Sequence, residues 1–159
     1  MMSILNEIYT GFKNMRLSNK TQYACLALIH LSENYEKDFI RIEDIAEQKK
    51  IPKKFLEKIL ISLKNAKYIR SRIGAGGGYQ LTKKPEKINI AEIVRLMDGP
   101  IAPVVSASKY YYANSPIESN KKLLNVFKEI RNHAASILEK TTFADLISNN
   151  KKGANKPQH

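Results

Sequence analysis

Cysteine, histidine and tryptophan are scarce in this chain of 159 residues, which has one cysteine, three histidines and no tryptophan. A single cysteine excludes a disulfide or a cysteine-rich metal site within one chain. The histidines at positions 30, 133 and 159 are scattered and have no ligand spacing. Cys25 lies in the apolar pattern YACLALIHL, which is typical of a buried helical side chain rather than a redox sensor. We therefore expect no metal, cluster or other cofactor.

Long apolar runs are also absent. No stretch approaches the ~18 apolar residues of a membrane-spanning helix. The opening residues have no basic start followed by an apolar stretch and a cleavage site. We expect a cytoplasmic protein with no membrane contact. No nucleophile is paired with a base and no phosphate loop is present, so the sequence does not indicate an enzyme.

Acidic residues are nearly missing from one segment. Between Lys49 and Lys84 there are eleven lysines or arginines and one acid, Glu57, so this segment carries +10 of the net charge of +12. Such a concentration is typical of a nucleic-acid contact, whereas evenly spread charge would indicate only solubility.

The basic segment overlaps a helical pattern. Apolar spacing predicts a helix from Ser18 to about Glu33, a short helix from Arg41 to Lys49 and, after a turn, a third from about Pro52 to Asn65. Five apolar residues form the inner face of the third helix: Phe55, Leu56, Ile59, Leu60 and Leu63. Four lysines fall largely outside it: Lys53, Lys54, Lys58 and Lys64. A helix-turn-helix needs such a second helix, with one face on the core and the other in the major groove.

Two short strands, YIRSR and YQLTKK, flank the glycine stretch GAGGG and predict a tight hairpin. A hairpin directly after a recognition helix is a wing, and four of its cations could reach phosphates or the minor groove: Arg70, Arg72, Lys83 and Lys84. The pattern Gly74-x-Gly76 also opens a dinucleotide fingerprint. That interpretation fails because a strand, not a helix, follows the glycines.

Beyond the wing, Asn89 and Glu92 predict a capping box for the helix IAEIVRLMD. Residues 101–120 are predicted to form a loop, and Lys121–Lys140 the longest helix. Its apolar stripe comprises Leu123, Phe127, Ile130, Ala134, Ile137 and Leu138. A partner subunit would cover this stripe, although packing against the first helix is an alternative. The segment TTFADLI predicts a short helix, followed by a disordered tail.

Several segments, in order and spacing, resemble the Rrf family of bacterial winged-helix regulators, which includes IscR, NsrR and CymR. They are MRLSNKTQYA, IEDIAEQKKIPKKFLEKILISLKNAKYI, GAGGGYQLT, INIAEIVRLMDGPIAPV and TTFADL. The resemblance covers roughly residues 15–147. It implies a mainly α fold with a small β-hairpin wing: a winged helix-turn-helix domain plus a long C-terminal dimerisation helix. It also implies a homodimer on a near-palindromic operator in double-stranded DNA.

The organisation expected from this resemblance has five parts. Residues 1–14 are an N-terminal extension, 15–98 the DNA-binding domain and 99–120 a loop where the family places its cluster or effector segment. Residues 121–147 form the dimerisation helix and a short helix, and 148–159 the disordered tail.

The resemblance also implies the DNA-binding residues. They are Arg16, Lys20, Thr21, Tyr23, Lys53, Lys54, Phe55, Glu57, Lys58, Arg70, Arg72, Gly76, Gly77, Gly78 and Tyr79. The acid Glu57 either reads a cytosine amino group or forms a local ion pair with Lys53 or Lys54.

Two departures from the family pattern matter. Cluster-binding members have three cysteines before the long helix, and this chain has none there, so we expect no iron–sulfur cluster and control by a protein or small-molecule effector. Relatives usually have an arginine just before the wing glycines, where this chain has Ile73. Arg72 or Arg70 is expected to take over the minor-groove role.

We therefore expect a sequence-specific transcriptional regulator, by family habit a repressor. The alternative is a non-specific or RNA-binding basic module, for which exposed aromatic residues would provide base stacking. The cluster Tyr110, Tyr111 and Tyr112 lies outside the basic segment and is expected to line an interface pocket or effector site, or to pack within its loop.

Overall fold

The computed structural model of the chain describes residues 16–109 and 113–148. The expected N-terminal extension, the three consecutive tyrosines and residues 149–159 of the expected tail lie outside the described residues.

The described chain is mainly helical, with one antiparallel hairpin, as the sequence predicted. The helices are α1 (Asn19–Glu33), α2 (Ile42–Lys49), α3 (Lys53–Asn65), α4 (Ile90–Asp98), α5 (Lys121–Lys140) and α6 (Phe143–Ser148). The strands are β1 (Ile69–Arg72) and β2 (Gly78–Leu81). Short 3-10 turns cover Pro85–Lys87, Val105–Ala107 and Pro116–Ser119, the last two inside the segment expected to be a loop. None of the described helices is long and apolar enough to span a bilayer.

Helix α1 lies at the centre of the fold and packs against α2, α3, α4 and α6. Its apolar residues Ala24, Ala27, Leu28 and Leu31 are buried, because they recur at the three- and four-residue spacing that keeps one face of a helix toward the core. A serine, Ser18, caps its first turn by accepting a hydrogen bond from the backbone N–H of Thr21.

The turn between α2 and α3 fixes the angle of the helix-turn-helix. Lys50 ends α2 in the left-handed conformation (φ 52°), and its N–H bonds back to the carbonyls of Ala46 and Glu47. The N–H of Ile51 also reaches Ala46, while the Ile51 side chain is buried. This closed turn buries the Ile51 side chain between the two helices and restricts how α3 packs on the core.

The inner face of α3 is narrower than the sequence predicted. Leu56, Ile59, Leu60 and Leu63 are fully or almost fully buried, but Phe55 is 59% exposed, so its place on the inner face was a wrong prediction. The reason is helical geometry. Successive residues are about 100° apart, so Phe55 lies at the edge of the stripe on which the four aliphatic residues are centred.

The start of α1 and the end of α4 are joined by one carboxylate. Asp98, the last residue of α4, accepts hydrogen bonds from the backbone N–H and the hydroxyl of Ser18. The same serine caps α1, so the C-terminus of α4 and the N-terminus of α1 are held together. At the other end of α4 the predicted cap is present, with the Glu92 N–H donating to Asn89 Oδ1, while the Glu92 carboxylate accepts from the Asn89 side-chain amide at 3.4 Å.

The C-terminal helix returns to the first domain. Phe143 is fully buried in the core that α1 organises, and α6 packs against α1. Its entry is fixed by backbone hydrogen bonds from Phe143 to Ile88 and from Ile90 to Thr141. The sequence-based division grouped this helix with α5, whereas its packing joins it to the winged-helix core.

Helix α5 contacts α4 and two of the 3-10 turns but has no buried residue. Its expected apolar stripe is therefore on the surface of the single chain, with Leu123, Val126, Ile130 and Ile137 between 37% and 54% exposed. Val126 belongs to this stripe although the sequence analysis did not include it.

Truncation of Phe143 tests whether α6 is part of the core. Phe143→Ala removes a fully buried ring, and we expect the free energy of unfolding to fall by about 3–5 kcal/mol. Urea denaturation followed by circular dichroism measures it. The matched control is Phe55→Ala, whose exposed ring is expected to cost less than about 1 kcal/mol. Equal losses in the two variants would show that α6 does not help to form the core.

Candidate nucleic-acid interface

The outer face of α3 carries cations around an apolar patch. Lys54 and Lys58 are exposed on it, and so are Glu57 and, at 58%, Ile61. Within the described chain, neither Lys54 nor Lys58 has a carboxylate within 4 Å. These ammonium groups are therefore available to an external anion such as a phosphate.

Other cations of the basic segment are paired with acids from outside it. Lys49 lies 3.0 Å from Glu33, and Lys53 Nζ lies 2.5 Å from Glu43 Oε1. The hydrogen bond to Glu43 raises the pKa of Lys53 and lowers the pKa of that carboxyl. Both partners of the Lys53 pair are more than half exposed, so this contact is weak and can exchange for a phosphate.

Glu57 has no ion pair within 4 Å in the described part of the chain. Of the two lysines considered as its partners, Lys53 turns to Glu43 instead. The local ion pair, one of the two alternatives from the sequence, is therefore not formed. The exposed carboxylate remains on the outer face of α3.

The start of α1 adjoins α3. Arg16 and Lys20 are exposed there, and the rings of Tyr23 and Phe55 are 6.5 Å apart and tilted by 56°. Thr21, the fourth residue at the start of α1 that was expected to bind DNA, is fully buried. Its side chain faces the core in the single chain, and its assignment as a DNA-binding residue stays a prediction. Its backbone takes part in the cap of α1.

The wing is hydrogen-bonded to the helix-turn-helix at its base. The strands pair from Ile69 with Leu81 to Arg72 with Gly78. A further bridge joins Tyr79 to Ile40, with backbone N···O distances of 2.8 and 2.9 Å in the two directions. Because Ile40 lies two residues before α2, these two bonds fix the wing beside the helix-turn-helix.

Two wing glycines are needed for close packing. A Cβ at Gly77 would lie 2.4 Å from the carbonyl oxygen of Arg72, and a Cβ at Gly78, where φ is +149°, 2.3 Å from that of Ile40. The Gly77 N–H donates to Gly74. These two glycines therefore have a structural role in shaping the wing, and their contacts with DNA stay a prediction.

Arg72 is held within the wing. Its Nε and Nη2 donate to the carbonyl of Gly76, Nη2 lies 2.8 Å from Asp38 Oδ1, and the guanidinium is 4.3 Å from the ring centre of Phe39. The hydrogen bond from the Phe39 N–H lowers the pKa of the Asp38 carboxyl, and the charge of Arg72 lowers it further.

Arg70 is held by a neighbouring strand residue. Its Nε and Nη2 both donate to the Gln80 side chain, at 3.1 and 2.8 Å. Lys83 lies 5.0 Å from the ring centre of Tyr68. Three of the four wing cations, Arg70, Arg72 and Lys83, are therefore held along the sides of the wing.

Sequence reasoning missed three contributors to this surface. Ile61 is seven residues after Lys54 and three after Lys58, a spacing that would have placed it on the outer face of α3. Asp38 and Phe39 support Arg72 from the polar break between the first two helices, and no sequence pattern indicated that contact.

The chain lacks the side chains that an iron–sulfur cluster requires. Its single cysteine, Cys25, lies on α1, where burial and then the Asp98 charge raise the pKa of the thiol to about 11. Clusters are held by several thiolates, so the residues present do not fit one. Within residues 16–109 and 113–148, no three His, Cys, Asp or Glu side chains cluster at a metal-binding separation.

Residues 17–149 match the family described as "Rrf2: Iron-dependent Transcriptional regulator". The chain belongs to the Rrf2 family. It is 33% identical over 138 residues to a putative rrf2-like HTH-type transcriptional regulator of Rhodobacter capsulatus, covering 83% of this chain and 92% of that protein. It is 34% identical over 137 residues to the HTH-type regulator NsrR of Bacillus subtilis, covering 85% of this chain and 92% of NsrR.

A solved structure supports the same assignment. The structure of CymR, the global cysteine regulator of B. subtilis, superposes with a TM-score of 0.67 at 28% identity, covering 84% of this chain and 97% of CymR. The family predicted from the sequence is confirmed. As a member of this family, the chain is a DNA-binding transcriptional regulator of bacterial type and not an enzyme.

Removal of the Arg72 side chain tests its part in shaping the wing. In Arg72→Ala the bonds to Gly76 and Asp38 are lost, and we expect the Gly77 amide to exchange its hydrogen about fivefold faster, since the wing tip then opens more often. Hydrogen exchange by NMR measures the rate. Arg70→Ala, which loses the Gln80 contact and a 5.7 Å approach to the Phe39 ring but no bond to the wing tip, serves as the control. Unchanged exchange in Arg72→Ala would contradict this role.

Proposed function

We propose that this Rrf2-family protein is a repressor that binds a near-palindromic operator as a homodimer and holds no iron–sulfur cluster. The observation that carries the proposal is the outer face of α3, where exposed lysines without acidic partners surround Phe55 and Ile61, beside a fixed wing. A helix of this kind provides phosphate attraction and base contacts on one surface.

The side chains of α3 suit a mixed set of base contacts. Lys54 and Lys58 can bind phosphates or guanine, the apolar groups of Phe55 and Ile61 can contact thymine methyls, and the unpaired Glu57 can accept from a cytosine amino group. A lone acid in this position lowers non-specific affinity because it repels phosphates. Its presence therefore supports sequence-specific binding.

Selection of bound DNA tests the proposal. At physiological salt, the purified protein is expected to enrich one near-palindromic sequence from genomic fragments. Lys53→Ala/Lys54→Ala is expected to lose this enrichment and to reduce the slope of log affinity against log salt by about 4, roughly one for each of the four phosphate contacts that a dimer loses. The control Lys121→Ala/Lys122→Ala removes the same charge at the start of α5 and should bind as the wild type does. Recovery of unrelated fragments by all three proteins would refute specific recognition.

The homodimer part of the proposal rests on α5. This 20-residue helix exposes four apolar residues on one face in the single chain (Leu123, Val126, Ile130 and Ile137), and burying apolar surface contributes roughly 25 cal/mol per Å². A second copy covers it with an identical stripe, which two-fold symmetry makes self-complementary. The same symmetry would present two α3 helices to two half-sites.

A charge placed in the stripe tests the dimer. Ile137→Glu buries a carboxylate at the proposed interface, and we expect sedimentation equilibrium to report a monomer with operator affinity lowered at least tenfold, because the half-sites are then bound separately. Asn125→Glu, on the opposite side of α5, is the control and should stay dimeric. A wild-type protein that sediments as a monomer at micromolar concentration would overturn this part of the proposal.

A regulator without a cluster needs another signal to control DNA binding. The chain has one cysteine whereas a cluster is held by several thiolates, and this supports a signal other than cluster loading. An effector protein or small molecule is the proposed source. A regulator of this kind acts where the chromosome is, in the cytoplasm.

One observation favours the alternative function as an RNA-binding or non-specific module. The exposed Phe55, next to Tyr23, is an aromatic group within the basic surface, and such groups stack on unpaired bases. Competition separates the two functions. A selected duplex should displace the protein from single-stranded RNA of equal length if it is a DNA regulator, and should fail to do so if stacking dominates.

A further inference from the structure

The tip of the wing, residues 73–77 with the sequence IGAGG, carries no charged side chain. Ile73 is its only large side chain and is 97% exposed, the highest value among the exposed large hydrophobic residues of the described chain. An isoleucine in that position contributes nothing to the core of the protein. Its apolar surface is available to an external partner.

The nearby arginines do not extend beyond this isoleucine. Arg72 folds back along the wing to Gly76, Asp38 and Phe39, and Arg70 is held by Gln80. The expectation from the sequence was that one of these arginines takes the minor-groove role. The contacts instead leave Ile73 as the side chain that projects from the tip.

The tip is also held in a defined shape. A turn joins the Gly77 N–H to Gly74, Arg72 clamps the carbonyl of Gly76, and the space beside Gly77 is filled by backbone. Isoleucine is branched at Cβ and has few rotamers. A stiff apolar side chain on a rigid turn loses little conformational entropy when it binds.

The base of the wing places this tip beside the DNA surface. Tyr79 is bonded to Ile40, next to Arg41, which precedes α2 and is exposed. Arg41 and Lys37 are exposed near the wing base, where the Lys37 carbonyl accepts from Gln80, and together with the lysines of α3 they would attract phosphates beside the wing. An apolar side chain near such cations matches a groove whose rims are charged and whose floor consists of base edges.

We propose that Ile73 enters the minor groove next to the major-groove site of α3 and acts as an apolar wedge that partly unstacks one base step. This inference rests on the proposed function. Apolar wedges favour steps that unstack easily, such as TA and CA, whereas an arginine in the same place is drawn to the narrow groove of an A-tract. Ile73 therefore determines the sequence preferred in the operator flanks.

The experiment compares wild type with Ile73→Ala and Ile73→Arg. Each protein selects from a random duplex library, and the bound sequences are compared separately in the half-site under α3 and in the flanks. We expect all three proteins to select the same half-site sequence. The wild type should enrich a flexible pyrimidine–purine step in the flank, Ile73→Ala should lose it with affinity about tenfold lower, and Ile73→Arg should enrich A-tracts instead.

A second readout reports unstacking directly. With 2-aminopurine placed at the selected flank step, wild-type protein is expected to raise the fluorescence of the probe and Ile73→Ala to leave it unchanged. Because Ile73 is exposed, all three proteins should unfold at the same temperature, which excludes loss of folding as the cause.

The two ways of failing are distinguishable. A shared half-site with identical flanks in wild type and Ile73→Ala, or no fluorescence rise with wild type, overturns the wedge and leaves the proposed function standing. A wild type that selects no half-site overturns both.

Discussion

The opposed faces of α3 constrain the rest of this structure. Leu56, Ile59, Leu60 and Leu63 attach one face to α1, and burial of four aliphatic side chains fixes the rotation of the helix about its axis. The lysines on the other face therefore point into solvent. Cations concentrated on such a face repel one another, so the arrangement costs stability that the apolar face offsets. Its benefit appears only when a polyanion binds.

The acids outside the basic segment moderate that repulsion at selected places. Glu33, Glu43 and Asp38 each neutralise one cation, at the ends of α2 and at the base of the wing. The outer face of α3 receives no such partner from the described chain. Lys54 and Lys58 are therefore left uncompensated on the proposed DNA surface, whereas Lys53 has a weak, exposed partner in Glu43 that a phosphate can replace. Hydrogen bonds between Tyr79 and Ile40 hold the wing in a fixed position relative to this surface.

Much of this fold follows from local patterns that a sequence displays. The helix bounds agree with apolar spacing and caps within a residue or two, since periodicity and capping are local properties. Phe55 was misplaced because an aromatic residue at the edge of a stripe is apolar whether or not it is buried. The burial of Thr21 was not anticipated because a position matched to a family pattern says nothing about burial. The contacts of Arg72 with Asp38 and Phe39 join residues more than thirty positions apart, and no local pattern encodes such a pairing.

Hydroxyl-radical footprinting of the protein on its selected operator tests the central claim most directly. The account predicts two protected regions related by two-fold symmetry, with centres separated by one or more helical turns of roughly 10 base pairs and minor-groove protection flanking each. A single protected region, or uniform protection along the whole duplex, would contradict a dimer that places two α3 helices in successive major grooves.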